Sequence, residues 1–290
     1  MKAAPFRYHR PATQREALEL LSQCENAKIL AGGQSLVPMM NMRYVMADDV
    51  IDINRIGALT GIAIEDDHLL VGAMTRQSDL LNHQELKHRA PIFADALSYV
   101  GHMQTRNRGT IGGSLAHMDP ASELIGLASM LDATITVESI QRGRRECAIS
   151  TFAKYYFTPD IAPDELLTEV RFALPSGHHR HGFAEFSQRH GDFAIVGAAA
   201  IFETDIDKSI SKARIVLIGV DAGPVRLSAA ENILTGQKPT PDALRAAAET
   251  TQTLEYKGDG LVSADYRKRL ARIMTARALE QAAGQPQRGT

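Results

Sequence analysis

The chain has 290 residues, 44% of them hydrophobic and 23% charged, with a formal net charge of −2. That balance excludes an intrinsically disordered chain, and near-neutrality excludes nucleic acid or an anionic membrane as the expected partner. The apolar runs, such as residues 193–202, are far too short to span a bilayer.

In chain order, residues 1–6 have no secretory hydrophobic region, and Arg7 and Arg10 are not a twin-arginine pair, so a cytoplasmic protein is expected. Thr13-Gln14-Arg15-Glu16 is a capping box and predicts a helix through Leu21, with Ala17, Leu18, Leu20 and Leu21 on its apolar face. Residues 28–31 predict a short buried strand that runs into Ala31-Gly32-Gly33-Gln34-Ser35-Leu36. A helical turn is expected over 37–42, strands over 50–53 and 69–72, and a helix over 93–99; Thr75 is placed to cap a helix over 78–81.

A second double glycine follows at Thr110-Ile111-Gly112-Gly113-Ser114-Leu115. Both loops are read as following strand-like sequence, and both carry a hydroxyl residue just after the glycines. Without a Cβ the backbone turns sharply and approaches a ligand closely, and successive N–H groups in such a turn make an anion-binding concavity. Two such loops, about 80 residues apart, would grip a pyrophosphate from two sides, which points to a dinucleotide. Neither is a Rossmann fingerprint, which needs three glycines in one strand–turn–helix unit, and neither has the Gly-Lys-Ser/Thr ending of a P-loop.

Asp119 reads as an N-cap and Pro120 as a first helical residue, predicting a helix over 120–131 whose positive end lies near the second loop. Residues 162–170 predict a turn feeding a strand, in which Leu166 and Leu167 would ordinarily be core. Gly191-Asp192-Phe193 reads as strand-to-turn, and a lone Phe193 would ordinarily be core as well. His178-His179-Arg180-His181 reads as a solvated turn. Strands follow over 194–202 and 213–220, and helices over 227–234 and 241–250. Ser263 caps a last helix with Tyr266, Leu270, Ile273 and Met274 on its apolar face and Arg267, Lys268, Arg269 and Arg272 on its solvent face; a frayed tail is expected after Ala282.

No nucleophile elbow, His-Glu-x-x-His motif or carboxylate dyad is visible, so no catalytic side chain and no metal site are assigned. His102 and His117 flank the second loop and are bases by type. Gln34, Ser35, Thr110 and Ser114 can hydrogen-bond phosphate or ribitol oxygens. Cys24 and Cys147 are too few for an iron–sulfur cluster, and free thiols are expected. This is binding chemistry, suited to a protein whose reactive atoms belong to a cofactor.

The residues 31–36, together with Arg106-Asn107-Arg108-Gly109-Thr110-Ile111-Gly112-Gly113-Ser114-Leu115-Ala116-His117, the continuation Asp119-Pro120-Ala121-Ser122-Glu123, and Gly191-Asp192-Phe193-Ala194, resemble the signatures of the flavoprotein (medium) subunit of molybdenum hydroxylases such as carbon monoxide dehydrogenase and quinoline oxidoreductase. The resemblance runs over essentially the whole chain. It implies an α+β fold: a two-subdomain FAD-binding unit of the vanillyl-alcohol-oxidase type, at residues 1–56 and 57–176, and a small α+β C-terminal domain at 177–290. It implies non-covalent FAD, held by Ala31, Gly32, Gly33, Gln34, Ser35 and Leu36 on one side and by Thr110, Ile111, Gly112, Gly113, Ser114 and His117 on the other. The backbone amides of both loops would clamp the pyrophosphate. Glu123 matches a family acid that contacts FAD; Asp119 stays open between cap and ligand. Leu167, rather than Leu166, would pack on the flavin ring, with Phe193 beside it. Gln34 stands where many relatives have His and Ser114 where many have Asn; both still hydrogen-bond. The partners implied are a small subunit with two [2Fe-2S] clusters and a large molybdopterin subunit, in a dimer of heterotrimers that delivers electrons to an external acceptor such as NAD, a quinone or oxygen. The competing readings are a stand-alone FAD oxidoreductase of the same fold, which needs its own catalytic acid or base, and a flavin-free scaffold subunit, for which the glycine loops are empty turns.

Overall fold

The computed structural model describes residues 1–176 and 178–284. The chain opens with β1 (Arg7–His9), α1 (Gln14–Gln23), β2 (Ala27–Leu30), α2 (Leu36–Asn41) and β3 (Asp49–Asp52). The three strands form a parallel sheet in the order β1-β3-β2. All four residues of β3 are buried, as a central strand covered on both faces requires. The capping box holds: Thr13 Oγ1 accepts from Glu16 N, while Glu16 reaches back to the Ala12 N–H at 2.8 Å. Ala17, Leu18 and Leu21 are buried on the expected face.

The next stretch adds β4 (Ile62–Glu65), β5 (His68–Gly72), α3 (Gln77–Asn82), α4 (Gln84–Arg89), α5 (Ile92–Tyr99), α6 (Met103–Arg106), α7 (Ile111–His117), α8 (Glu123–Met130), β6 (Thr134–Ser139), β7 (Gly143–Ala148), α9 (Ile149–Phe152), β8 (Ala153–Tyr155), β9 (Thr158–Pro159) and β10 (Leu166–Ala173). Five of its strands make an antiparallel sheet, β4-β5-β10-β6-β7, while β8 and β9 form a separate hairpin. The helices lie against this sheet, with Phe93 edge-on to Phe172 at 5.2 Å.

The remainder comprises β11 (His179–Phe186), β12 (Val196–Thr204), β13 (Ile210–Ile218), β14 (Val225–Arg226), α10 (Ser228–Leu234), α11 (Pro241–Glu249) and α12 (Ala264–Ala282). Its four strands form an antiparallel sheet in chain order, covered by α10–α12. The core under the five-stranded sheet does not stop at the chain's midpoint. Leu124, Ile125 and Leu127 of α8 share one cluster with Phe183, Ala199, Ile201 and Val216 of the third sheet. Seven of the eight residues of α8 are buried, because it lies between two sheets.

Several expectations are corrected. The second double glycine follows helix α6 rather than a strand, and Gly112 and Gly113 sit inside the first turn of α7. A Cβ on Gly112 would lie 2.6 Å from Ala73 Cβ, so close packing on β5's exit, not a turn, requires glycine there. The helix after Asp119 starts three residues late: Asp119 Oδ1 bonds the Ala121 N–H at 2.9 Å in a local turn, and Ser122 is the N-cap residue. Thr75 caps nothing; its hydroxyl bonds the backbone of Gly61 at 2.9 and 3.0 Å. His179–His181 belong to β11 rather than to a turn, and His181 pairs with Asp95 at 2.9 Å. On α12, Ser263 does cap, but Ile273 is exposed, and Arg267 is inward rather than solvated. Cys24 and Cys147 are free thiols. The tail from residue 285 lies outside the described residues. Among the described residues no helix is long and apolar enough to cross a membrane.

Candidate functional site: two glycine loops in contact

The loop at 31–36 leaves β2 at the end of the parallel sheet, and the loop at 110–114 opens α7. The fold presses them together. A Cβ on Gly32 would collide with the Arg108 carbonyl oxygen and lie 2.9 Å from Gly109 Cα; a Cβ on Gly113 would lie 3.7 Å from the Ala31 methyl. Gly33 has φ +74°, the left-handed conformation that glycine adopts without strain.

The two loops differ in what they leave open. In α7, Ile111 N donates to Thr75 O at 3.2 Å, Gly112 N to Ala73 O at 2.9 Å, Gly113 N to Thr110 Oγ1 at 3.0 Å and Ser114 N to Thr110 O at 3.1 Å. These amides are satisfied within the chain, so the expectation that they clamp a pyrophosphate is corrected. What this side offers is hydroxyl groups: Thr110 Oγ1, and Ser114 Oγ at 2.9 Å from Ser122 Oγ. In the first loop, by contrast, the N–H groups of Gly32, Gly33, Gln34, Ser35 and Leu36 have no acceptor among the described residues. Gln34 Nε2 turns back to Gly32 O at 3.3 Å, and Ser35 caps nothing with its side chain. A run of open amides is the structural requirement for an anion cradle.

Cations stand beside it. Arg76 bridges the loops, donating to Arg108 O at 2.6 Å and to Asn54 Oδ1 at 2.7 Å, while Asn54 Nδ2 donates to Ala31 O at 2.8 Å. Burial and then the Arg108 charge push the Arg76 pKa down. The charges of Asp79 and Asp52 offset this only in part, so the two neighbouring guanidinium groups remain the electrostatic complement of a bound anion. Arg108 also lines a hollow of about 360 Å³ together with Leu30, Gly32, Gly33, Gln34, Val37 and Pro38.

The other expected residues take varied places. Glu123 is the first residue of α8, adjacent to Ser122, and is only 7% exposed. Burial, reinforced by Asp119, pushes its carboxyl up to about 7. His117 ends α7 with its ring 5.2 Å from that of Phe157, and burial lowers its pKa. His102 lies under Gly191. Leu167 is core, 5% exposed on β10 between β5 and β6. Phe193 is not core: it is 73% exposed on the loop between β11 and β12. Asp192 anchors that loop through Arg189 at 3.1 Å.

The sequence reading missed Asn54, Arg76, Arg108 and Glu185. Arg108 stands inside the second motif and so had a signal; the other three had none. Glu185, on β11, buries both carboxylate oxygens without a hydrogen-bond partner among the described residues, and burial and then the Glu123 charge push its carboxyl up to about 9, which no sequence spacing announces. The only possible metal cluster among the described residues is His9, Cys24 and Asp49, with ligand atoms within 4.8 Å of one another. The Arg7 guanidinium already holds both Asp49 oxygens, at 2.8 and 2.6 Å.

A small parallel sheet and a larger antiparallel one, meeting at an amide-lined, arginine-flanked cleft, define an α+β protein built to hold a dinucleotide without a Rossmann unit. Residues 4–175 match the FAD binding domain in molybdopterin dehydrogenase, and residues 181–282 match the CO dehydrogenase flavoprotein C-terminal domain. The chain belongs to the FAD-binding medium subunits of the molybdenum hydroxylases, and it is an oxidoreductase flavoprotein subunit. It is 39% identical over 286 residues to the alpha subunit of the 6-hydroxypseudooxynicotine dehydrogenase complex of Paenarthrobacter nicotinovorans, covering 97% of this chain and 96% of that one. It is 32% identical to the carbon monoxide dehydrogenase medium chain of Hydrogenophaga pseudoflava, covering 96% of each. In structure it resembles quinoline 2-oxidoreductase from Pseudomonas putida 86, with a TM-score of 0.93 at 33% identity over 98% of this chain and 99% of that one.

Proposed function

We propose that this chain holds FAD non-covalently between its two glycine loops and relays electrons within a molybdenum hydroxylase complex. The observation that carries the reading is the contact between the loops, with five open amides from Gly32 to Leu36 beside Arg76 and Arg108. In this reading the first loop binds the pyrophosphate through its backbone. Thr110 and Ser114 add hydroxyl contacts on the other side, with Ile111, Gly112 and Gly113 supplying closeness rather than donors. Ala31 and Leu36 shape the cradle, Gln34 and Ser35 hydrogen-bond at its rim, and His117, Asp119 and Glu123 line the far end. Phe193, exposed on its loop, lies beside the ring; Leu167 supports the ring from the core. Residues 1–56, 57–176 and 177–290 are taken as the two FAD-binding subdomains and the C-terminal domain.

Bound flavin supplies the exchange between one-electron donors and one- or two-electron acceptors. The donors are two [2Fe-2S] clusters in a small subunit; a large subunit carries molybdopterin and determines the substrate. The assembly is a cytoplasmic dimer of heterotrimers, and the external acceptor is NAD, a quinone or oxygen. Neither Cys24 nor Cys147 belongs to the cleft, which fits non-covalent attachment.

The test is a visible spectrum of the chain purified alone and then with co-purified partners. Flavin bands released as FAD on denaturation, joined by iron–sulfur absorption only when partners are present, are expected. A colourless protein that stays colourless with added FAD overturns the reading. Gly32→Ala drives a methyl group into the Arg108 carbonyl and is expected to weaken FAD retention at least tenfold, read by equilibrium dialysis.

A further inference from the structure

The C-terminal ends of β2 and β3 carry a hydrogen-bonded series that reaches the cradle from behind. Asp52, the last residue of β3, pairs with Leu30, the last residue of β2, one position before the first loop. It is buried and commits both carboxylate oxygens within the chain. Oδ2 accepts from the Tyr8 hydroxyl of β1. Oδ1 accepts from the Asn54 N–H at 2.9 Å and from Asn54 Nδ2 at 2.6 Å. Burial opposes ionisation of Asp52, but the bonds from Tyr8 and Asn54 outweigh it and hold the carboxyl below its ordinary value.

Asn54 is the branch point. Its Nδ2 also donates to Ala31 O at 2.8 Å, in the first loop, while its Oδ1 accepts from Arg76 at 2.7 Å. Only one orientation of the amide satisfies these contacts. Turned over, the amide oxygen would face the Asp52 carboxylate and the Ala31 carbonyl, and the NH2 group would face a guanidinium. The Asp52 charge therefore selects the orientation in which Asn54 presents its oxygen to Arg76. Arg76 in turn donates to Arg108 O at 2.6 Å, and its backbone bridges to Thr110. One unbroken series of bonds thus runs from Tyr8 through Asp52, Asn54 and Arg76 to the segment before α7, and it touches the first loop on the way.

Electrostatics alone gives no reason for an acid here. A carboxylate behind an anion cradle repels the anion and offsets part of the charge that Arg76 offers. Its burial also carries a desolvation cost. Both are compensated where the carboxylate holds the arginine in the place the anion needs it. We propose that Asp52 is a positioning residue for the cofactor's pyrophosphate: through Asn54 it sets the Arg76 guanidinium and the Ala31 carbonyl, and so the spacing of the two glycine loops. The inference rests on the FAD reading above. Asp52 itself touches no phosphate in this arrangement, because its oxygens are spent on Tyr8 and Asn54. Tyr8, 53% exposed on the edge strand β1, closes the series by holding the second carboxylate oxygen. An Asp52 that served only the local turn to the Asn54 N–H would leave FAD affinity unchanged.

The test is a double-mutant cycle on the full chain, with FAD dissociation constants read by equilibrium dialysis. Asp52→Asn keeps the shape and removes the charge. Charge repulsion alone predicts that it tightens FAD; positioning predicts that it weakens FAD, by about fivefold or more. Arg76→Met is expected to weaken FAD by about tenfold or more. Adding Asp52→Asn to Arg76→Met should then cost less than about twofold further. Tighter FAD in Asp52→Asn, or the same loss in both backgrounds, overturns the proposal. Tyr8→Phe removes one hydroxyl from an exposed ring and so spares the fold. It is expected to weaken FAD by about twofold or more in the native background and not in Arg76→Met. Unchanged affinity in the native background, or equal loss in the two, overturns the proposal even where Asp52→Asn does not fold. A native chain that takes up no FAD refutes the cofactor reading itself; one that takes up FAD but shows additive losses refutes only the role of Asp52.

Discussion

Glu123, Glu185 and Asp49 make stability depend on pH in opposite directions. An ordinary glutamate carboxyl titrates near 4.3. In the fold Glu123 and Glu185 hold their protons up to about 7 and about 9. Between about 4 and those values the unfolded chain binds fewer protons than the native one, so stability falls as pH rises. Asp49 behaves the other way. Hydrogen bonds from Arg7 and then His9 hold its carboxyl at about 2, so its contribution is complete above about 4 and lost as pH falls through about 2. A thermal midpoint that declines from about pH 5 to pH 9 is expected, followed by calorimetry. In Glu185→Gln the declining limb should end near pH 7. A midpoint flat over the whole range would contradict the two raised carboxyls.

At the scale of elements, α12 does more than cover a sheet. The Arg267 guanidinium donates to the carbonyls of Gly219 and, at 3.3 Å, Ile195, and pairs with Asp259. One side chain thereby joins the helix to the end of the Phe193 loop and to the turn after β13. Arg267→Met is expected to lower stability by about 1–3 kcal/mol, measured by denaturant unfolding, and to speed amide exchange over 187–195 more than elsewhere. Uniform acceleration would mean that the side chain stabilises without anchoring that loop. Much of this scale was legible in the sequence. Helix starts at Thr13 and Ser263 depend on a side chain three residues away, and the glycine motifs announced the site. What was not legible depended on distant neighbours. Glycines are poor helix formers, so residues 112–113 read as a turn, and only the proximity of Ala73 explains them as the start of α7. Thr75 was diverted by Gly61, and Arg267 by two carbonyls. Glu185 is buried through the pairing of β11 with β12, which leaves no local pattern.

For the whole molecule, the continuous core from α8 into the third sheet makes the two family-matched segments interdependent. A chain ending at residue 176 would expose the face of α8 that meets Val216 and Ile218. It is expected to lose a cooperative thermal transition; a truncated chain with the native midpoint would refute the interdependence. The unequal loops have a further consequence. The α7 side is rigidified by its own backbone bonds before any ligand arrives, so the entropic penalty of ordering falls almost wholly on the six residues 31–36. Cofactor loading then works like a hinged latch closing on a fixed post: exchange protection on capture should appear at 31–36, with 111–114 already protected, and residence time should follow the stiffness of the moving half.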